Sequence, residues 1–311
     1  MSRYLVTGGA GFIGSHIVEA LVGKKHQVRV LDNFSNGRIS NLGCLEKKID
    51  LIKGDICSLN ICLKATQGMD FVLHQAALGN VSRSMCDPHT YNRVNIDGTL
   101  NMLEAARKNK VRRFVFASSS SVYGQVRVFP EKETLIPEPI SPYALSKLAG
   151  ECYCRIFSRH FGLSTVVLRY FNVFGPRQAF NDEYAAVIPK FIKYLIKNKK
   201  PPVFGNGRQS RDFTFVRNVV EANILAAEAS ALEYGVFNIA GGKDITILDL
   251  VKQLNKILGK DVSPILLKSR PGDIFRSLAD IRQAARILKF KPVVDFENGL
   301  KITVDYWKKN A

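Results

Sequence analysis

The sequence predicts an α/β protein: a doubly wound parallel sheet with a smaller lobe interleaved toward its C-terminal half. Three observations carry that prediction. Short, mostly apolar runs alternate with segments of helical periodicity as far as about residue 171. The runs are apolar nearly end to end, as expected where helices cover both faces of a parallel sheet. The first of them passes straight into a turn with glycine at every third position.

In chain order, strands are predicted over Arg3–Thr7, Gln27–Leu31, Asp50–Lys53, Phe71–His74, Arg113–Ser118 and Thr165–Tyr170. Helices are predicted over Gly14–Val22, Asn92–Lys108 and Ser141–His160. After residue 172, Gly175-Pro176, Pro201-Pro202, Gly205-Asn206-Gly207, Gly241-Gly242 and Pro271-Gly272 punctuate the chain. Helices are expected there over Ala186–Lys197, Val219–Ala229, Leu248–Leu258 and Ile281–Leu288. Residues 1–171 thus make the sheet domain, with segments near 212–230 returning to it. Residues 172–311 are mostly a second lobe, whose loops close over the carboxyl ends of the strands, where ligands bind in such folds.

The bulk composition narrows the classes. The chain has 311 residues, enough to bury a large core, and shows no internal repeat or low-complexity tract. No run of about 18 apolar residues occurs and no secretory signal pattern opens the chain, so a cytoplasmic protein without a membrane span is expected. Cysteines at 44, 57, 62, 86, 152 and 154 match no zinc spacing; free thiols and no metal are expected. The net charge of +18 would attract anionic ligands, but the lysines are scattered and not interleaved with aromatics, which argues against a nucleic-acid partner.

Chemistry enters at the first turn, Thr7-Gly8-Gly9-Ala10-Gly11-Phe12-Ile13-Gly14-Ser15. Gly8, Gly11 and Gly14 suit a tight strand-to-helix turn, backbone approach to a pyrophosphate, and close helix–sheet packing. The helix that follows offers free N–H groups and a positive dipole end to phosphates. Asp32 closes the second strand at the spacing of a ribose-binding carboxylate, and its charge would repel a 2′-phosphate, which favours NAD over NADP. The Asp-Asn pair also reads as an ordinary turn. Asp55 ends the third strand and is placed to meet an adenine. Gln75, Ala76 and Ala77 follow the fourth, where small residues let backbone pass close to a cofactor. Asn95, inside a predicted helix, is a candidate polar brace.

Tyr143 and Lys147 lie four residues apart on a helix that Pro142 opens, so their side chains share a face. A neighbouring ammonium and an oxidised nicotinamide would favour the phenolate, making Tyr143 a base near neutral pH. Ser118 to Ser121 end the fifth strand, where a hydroxyl can hold a substrate hydroxyl.

With these motifs, and with Asp32-Asn33, Gly54-Asp55-Ile56, Val122-Tyr123-Gly124, Ser141-Pro142-Tyr143-Ala144-Leu145-Ser146-Lys147, Arg169-Tyr170-Phe171-Asn172 and Arg211-Asp212-Phe213, the chain resembles an extended short-chain dehydrogenase/reductase of the NAD-dependent epimerase/dehydratase family along essentially its whole length. The resemblance implies a Rossmann sheet, NAD as cofactor, a nucleotide sugar as substrate, and a homodimer joined through a bundle of the helices near 92–108 and 141–160. It implies Ser119, Tyr143 and Lys147 as catalytic residues. Around the cofactor it implies Gly8, Gly11, Phe12, Ile13, Gly14, Asp32, Asn33, Asn36, Gly37, Asp55, Ile56, Gln75, Ala76, Ala77, Asn95, Ser118 and Tyr170 with Tyr143 and Lys147. Asn172, Arg211, Arg270 and Asp273 would meet the diphosphate portion, where forked guanidiniums suit the ligand. Ser120, Ser121, Val187, Lys190, Val203 and Phe204 complete the implied substrate set.

Within the family, 4,6-dehydratases carry Asp-Glu where this chain has Ser120-Ser121, and uronate decarboxylases carry a Glu at Ser121, so oxidation and re-reduction at C4 is what remains. The segments 74–79, 172–178, 184–189 and 270–280 resemble bacterial UDP-N-acetylglucosamine (UDP-glucose) 4-epimerases. There Ser277 matches a gatekeeper position whose small side chain leaves room for an N-acetyl group, with Gly79, Gln178 and Ala186 lining the same pocket. Asn80, Ser82 and Pro176 depart from that group's pattern. The expectation is a UDP-hexose 4-epimerase acting on UDP-GlcNAc/UDP-GalNAc and UDP-Glc/UDP-Gal through a 4-keto sugar. A UDP-glucuronate 4-epimerase, with Arg177 facing the carboxylate, is the alternative. A non-catalytic NAD-sensing or RNA-binding protein on this fold is the alternative of another class, and the presence of both Tyr143 and Lys147 speaks against it.

Overall fold

The computed structural model describes residues 1–178, 186–269 and 274–310. Arg270 and Asp273 lie outside them. Seven strands form the main sheet: β1 (Arg3–Thr7), β2 (Gln27–Asp32), β3 (Asp50–Lys53), β4 (Phe71–His74), β5 (Arg113–Ser119), β6 (Thr165–Tyr170) and β7 (Tyr234–Ile239). Their order is β3-β2-β1-β4-β5-β6-β7 and every neighbouring pair is parallel. The doubly wound α/β fold expected from the sequence is therefore the observed one. The order reverses between β1 and β4, and the crevice above their carboxyl ends is where such sheets bind ligands.

The faces of the sheet explain the unbroken apolar runs. Val6, Val115 and Leu168 point to one side, against α1 (Phe12–Gly23) and α6 (Val216–Glu228), through Ile17, Leu21, Val219 and Ile224. Leu5, Phe114, Phe116 and Val167 point to the other, against α3 (Gly98–Lys108) and α4 (Pro142–Phe161), through Met102, Leu103, Cys154 and Phe157. Each such side chain contributes about 1.5–3 kcal/mol on burial, and alternate residues of one strand serve opposite layers.

Helix α4 has a readable start and stop. Ser141 Oγ accepts from Ala144 N at 3.1 Å, Pro142 occupies the first turn, and Gly162 ends the helix in the left-handed conformation. Gly150 lets it sit on the sheet, since a Cβ there would fall 2.4 Å from the Phe116 ring.

The single helix predicted over Asn92–Lys108 is instead two pieces, a π-helical segment at Asn92–Asp97 and α3, with a short helical turn at Pro88–Tyr91 leading in. The wider turn lets Asn95 point inward and bond two partners at once. No prediction covered α2 (Leu59–Thr66), α8 (Phe296–Asn310), the edge strand β7, the short helix Val81–Cys86 or the two- and three-residue strands after residue 172.

The second lobe has its own core, built from Phe174, Phe191, Leu195 and Val203, from Leu250 and Leu254 of α7 (Ile247–Leu258), and from Leu300. The helix α5 (Val187–Ile196) presents Ile188, Phe191, Ile192 and Leu195 to it. Between these helices the chain returns to the main sheet through α6 and β7. Arg113 clasps that return: its guanidinium donates to the carbonyls of Ala226, Ala227, Ala229 and Leu232 at and beyond the end of α6. The six cysteines are unpaired. Among the described residues no helix is long and apolar enough to cross a membrane.

Candidate active site

The glycine turn is built for close approach. Gly8 has φ +65°, and a Cβ on it would fall 2.8 Å from Ala76 N. A Cβ on Gly14 would fall 2.1 Å from Gly8 O, so the third glycine is the one that seats α1 on the turn. Gly11 differs: a Cβ there would meet only Gly8 O, at 3.1 Å. Gly11 is also the N-cap of α1, with no capping side chain and no acidic residue in the first turn. The backbone donors of Phe12 and Ile13 belong to that first turn, where helix N–H groups lack intrahelical partners and favour an anion.

Asp32 is buried beside this turn. Its Oδ2 accepts from Ala10 N at 2.9 Å and its Oδ1 from Phe34 N at 2.8 Å, while Gly37 approaches so closely that a Cβ would lie 2.9 Å from either oxygen. The carboxylate therefore organises the 34–37 loop as well as presenting its remaining lone pairs. Asn33 Nδ2 donates to Asp55 Oδ2 at 2.9 Å, joining the ends of β2 and β3, and Asn36 is exposed on the same loop. The Ile56 side chain is in the core against Gly98, and its carbonyl accepts from Asn101.

At the end of β4 an ordered chain of hydrogen bonds fixes the backbone that faces Gly8. Ala76 N donates to Thr7 Oγ1 (3.2 Å), and Thr7 Oγ1 lies 2.7 Å from His74 Nδ1. His74 Nε2 lies 3.1 Å from Thr99 Oγ1, which donates to Asn95 O at 2.6 Å. Because the Thr99 proton is committed to Asn95, His74 must donate through Nε2 and accept at Nδ1. Burial, with the Lys147 charge adding to it, lowers the His74 pKa to about 3, so the ring is neutral. Asn95 accepts from Leu78 N (2.8 Å) and donates to Ser146 Oγ (3.0 Å), tying the 75–79 loop to α4. Ala77 is half-buried in that loop and Gly79 is exposed.

The structure brings Ser119, Tyr143 and Lys147 together at the carboxyl end of β5. The Ser119 hydroxyl neighbours the Tyr143 phenol and favours its ionised form, and its Oγ accepts from Ser121 N at 3.2 Å. Lys147 Nζ donates to Ala117 O at 2.8 Å and stands 5.9 Å from the Tyr143 ring centre. Burial raises the Tyr143 pKa, with the Ser119 hydrogen bond acting against it. Burial lowers Lys147 to about 8, with the Glu151 charge acting against it. Ser118 was expected beside the cofactor. Strand alternation turns it with Phe114 and Phe116 toward α4, where its Oγ donates to Glu151 Oε1 at 2.5 Å.

Tyr170 and Gln75 close a ring with a residue the sequence did not single out. Tyr170 OH donates to Gln75 Oε1 (3.2 Å), Gln75 Nε2 to Asn223 Oδ1 (3.0 Å), and Asn223 Nδ2 back to Tyr170 OH (2.8 Å). Asn223 is fully buried on α6 and had no signal beyond being polar on an apolar helix face.

In the second lobe a cavity of about 340 Å³ is lined by Asn172, Ala186, Val187, Lys190, Val203, Phe204 and Arg211, all implied by the resemblance, together with Ser82, Phe191, Gln209 and Phe213, which were not. Ser277 is 5% exposed, its N donates to Ser210 O at 3.1 Å, and its side chain neighbours the Glu131 carboxyl. Glu131 and Asp212 are a further pair of carboxylates that the sequence reading did not single out. Asp212 accepts from Gly241 N, Gly242 N and Ala279 N. Burial pushes each of these two acids up to about 7. Arg177 pairs with Glu19 at 2.6 Å and donates to Ser15 Oγ. Ser120 is half-buried, and two buried atoms, Ser121 Oγ and Gln178 Oε1, have no hydrogen-bond partner among the described residues.

A family model described as the NAD dependent epimerase/dehydratase family matches residues 4–240. A putative UDP-glucose 4-epimerase of Methanocaldococcus jannaschii is 38% identical over 98% of both chains. Among solved structures, a UDP-N-acetylglucosamine 4-epimerase from Methanobrevibacter ruminantium in complex with UDP-N-acetylmuramic acid superposes with a TM-score of 0.95 at 42% identity, covering 100% of this chain and 99% of the other. A UDP-glucuronic acid 4-epimerase from Bacillus cereus, in complex with UDP-glucuronic acid and NAD, gives 0.91 at 35% identity, with 99% of this chain and 100% of the other covered. The chain belongs to the NAD-dependent epimerase/dehydratase family.

Proposed function

We propose that the chain is a UDP-hexose 4-epimerase that interconverts UDP-GlcNAc and UDP-GalNAc, and UDP-Glc and UDP-Gal by the same geometry. The observation that carries the reading is the meeting of Ser119, Tyr143 and Lys147 at the carboxyl end of β5, beside the switch point of the sheet. The cradle fits NAD: a turn with no room for side chains at Gly8 and Gly14, an uncapped helix end at Gly11, and Asp32 at the end of β2. Bound there, NAD would supply the acceptor and donor of hydride at C4.

The chain's own groups supply the rest. Ser119 would orient the C4 hydroxyl, and Tyr143 would take and return its proton. Lys147, held by Ala117 O, would favour the phenolate by its charge. Asn172, Lys190 and Arg211 line the cavity proposed for the UDP moiety. Ser121 Oγ is a buried hydroxyl without a protein partner, suited to a sugar oxygen, whereas carboxyl chemistry at C5 or C6 has no group at positions 120 and 121. Arg177 is engaged by Glu19, which speaks against its facing a uronate carboxylate. A homodimer through α4 is part of the proposal; Leu145, Ile156 and Phe161 are exposed along that helix.

The test is to incubate the protein with UDP-GlcNAc, UDP-Glc and UDP-GlcA separately and resolve the C4 epimers. Interconversion of the N-acetylated pair is expected. Turnover of UDP-GlcA alone would favour the uronate reading, and inertness toward all three would remove the proposal.

A further inference from the structure

Behind the redox site lies a buried ion pair that the proposed reaction does not use. Glu151 follows Tyr143 and Lys147 at four-residue spacing on α4, so the three side chains share one face. Its Oε2 accepts from Arg169 Nη2 at 2.6 Å, and its Oε1 accepts from Arg169 Nε at 2.9 Å and from Ser118 Oγ at 2.5 Å. Both side chains of the pair are 5% exposed, and Arg169 Nη1 has no hydrogen-bond partner among the described residues. Burying two charges seldom improves stability over apolar residues of the same size. A pair left with one unsatisfied donor, directly under a catalytic helix, calls for another reason.

The contacts give one. Three consecutive residues at the end of β5 are each held by one of three successive turns of α4: Ser119 by Tyr143, Ala117 O by Lys147, and Ser118 by Glu151. We propose that Glu151 is a positioning residue for Lys147, pinning the strand end that holds the lysine and placing a carboxylate one helical turn beyond it. The proposal rests on the assignment of Tyr143 and Lys147 as the redox pair.

Among the described residues, Glu151 is the acid whose charge acts on Lys147, while Glu133 acts on Arg169 and Tyr123 from the far side. His74 on β4 is neutral, and Tyr143 and Cys154 on α4, Tyr123 after β5 and Tyr234 on β7 are all held in their neutral forms by burial. Arg169 on β6 is the opposing cation, with its guanidinium 4.7 Å from the Tyr123 ring centre. The Glu151 charge is what raises the proton affinity of Lys147 against burial.

The experiment titrates Lys147 directly, by NMR of lysine-labelled protein with Lys147→Met fixing the assignment, in the wild type, Glu151→Gln, and Glu151→Gln/Arg169→Met. The double variant leaves no orphaned guanidinium if the single one fails to fold. Proton affinity at Lys147 is expected to fall about tenfold in the single variant and about threefold in the double. In the pH profile of kcat the alkaline limb moves to lower pH by the same amount, while KM for UDP-sugar stays within about twofold. An unmoved Lys147 titration in either folded variant overturns the proposal. Because the titration needs no sugar, an absence of epimerase activity would sink the functional reading without touching this one.

Discussion

Replacing Glu131 by glutamine should stabilise the protein at alkaline pH and do little in acid. The carboxyl is 3% exposed, accepts from Leu278 N at 3.3 Å and bonds Ser277, and the neighbouring Asp212 charge opposes its ionisation while Arg211 favours it. Burial raises it from 4.5 to about 7. In the folded protein the proton is therefore retained between those values, whereas the unfolded chain has released it. With more protons bound in the native state, stability falls as pH rises through that window and is fully reduced above about 7. At about 1.4 kcal/mol per pH unit the native state carries a cost on the order of 3 kcal/mol. An amide keeps an oxygen for Leu278 N and has no charge to bury. Urea unfolding of the wild type and Glu131→Gln at about pH 5 and about pH 8 isolates the effect, since titrations elsewhere cancel in the difference. The variant should gain about 2–3 kcal/mol on the wild type between the two conditions. An equal stability difference at both values, or a relative loss at the higher one, would refute the argument.

The glycine turn separates fold from cofactor. Gly14→Ala forces a methyl to 2.1 Å from Gly8 O and should cost at least about 2 kcal/mol in unfolding experiments, and an unchanged midpoint would contradict the packing role. Gly11→Ala meets only Gly8 O, so thermal stability should stay near wild type while NAD affinity drops about tenfold or more by calorimetry. Tyr143→Phe removes the phenol proton carrier and should lower epimerisation by about 10²–10⁴-fold with NAD still bound; turnover at the wild-type rate would eliminate Tyr143 as the base. Asn223→Leu removes two sides of the ring, leaving Gln75 Nε2 without its acceptor while Tyr170 OH keeps Gln75 Oε1, and should destabilise by about 1–3 kcal/mol; an unchanged midpoint in chemical denaturation would contradict the role.

What the sequence disclosed follows physical lines. Six of the seven sheet strands were legible: a run buried on both faces such as Thr165–Tyr170 reads as sheet interior, and the partly exposed edge strand Asp50–Lys53 follows from the alternation of strand and helix. The seventh, Tyr234–Ile239, begins with Tyr-Gly, lies on the sheet edge and is only partly covered, so its pattern is dilute. The meeting of Ser119, Tyr143 and Lys147 was visible because one helical turn and one strand end suffice to describe it. The partners of Ser118, Tyr170 and Ser277 were not, because each comes from far along the chain: Glu151, Asn223 and Glu131. Glu151 did leave a trace, at the same four-residue step that joins Tyr143 to Lys147. Asn95 faces inward only because a π-helical turn interrupts the helix, and periodicity cannot foresee an irregularity.

Hydrogen bonds hold both halves of the site. In the dinucleotide cradle, close packing at Gly14 and Gly150 seats α1 and α4, while Asp32 and the chain through Thr7 and His74 fix the loops. The segment carrying Ser277 is held by groups far along the chain. Its backbone exchanges bonds with Glu131 through Leu278 and Asp280, Asp212 takes Ala279 N, and Asn238 at the end of β7 donates to the carbonyls of Glu131 and Asp280. Directional bonds fix a position more narrowly than apolar contact does, and a buried donor that loses its acceptor costs about 1–3 kcal/mol. A bulky residue at 277 would thus have to displace the Glu131 contact before it reached any sugar. The surroundings of position 277 thus include Glu131, a residue about 146 positions earlier that no reading of the local motif contains.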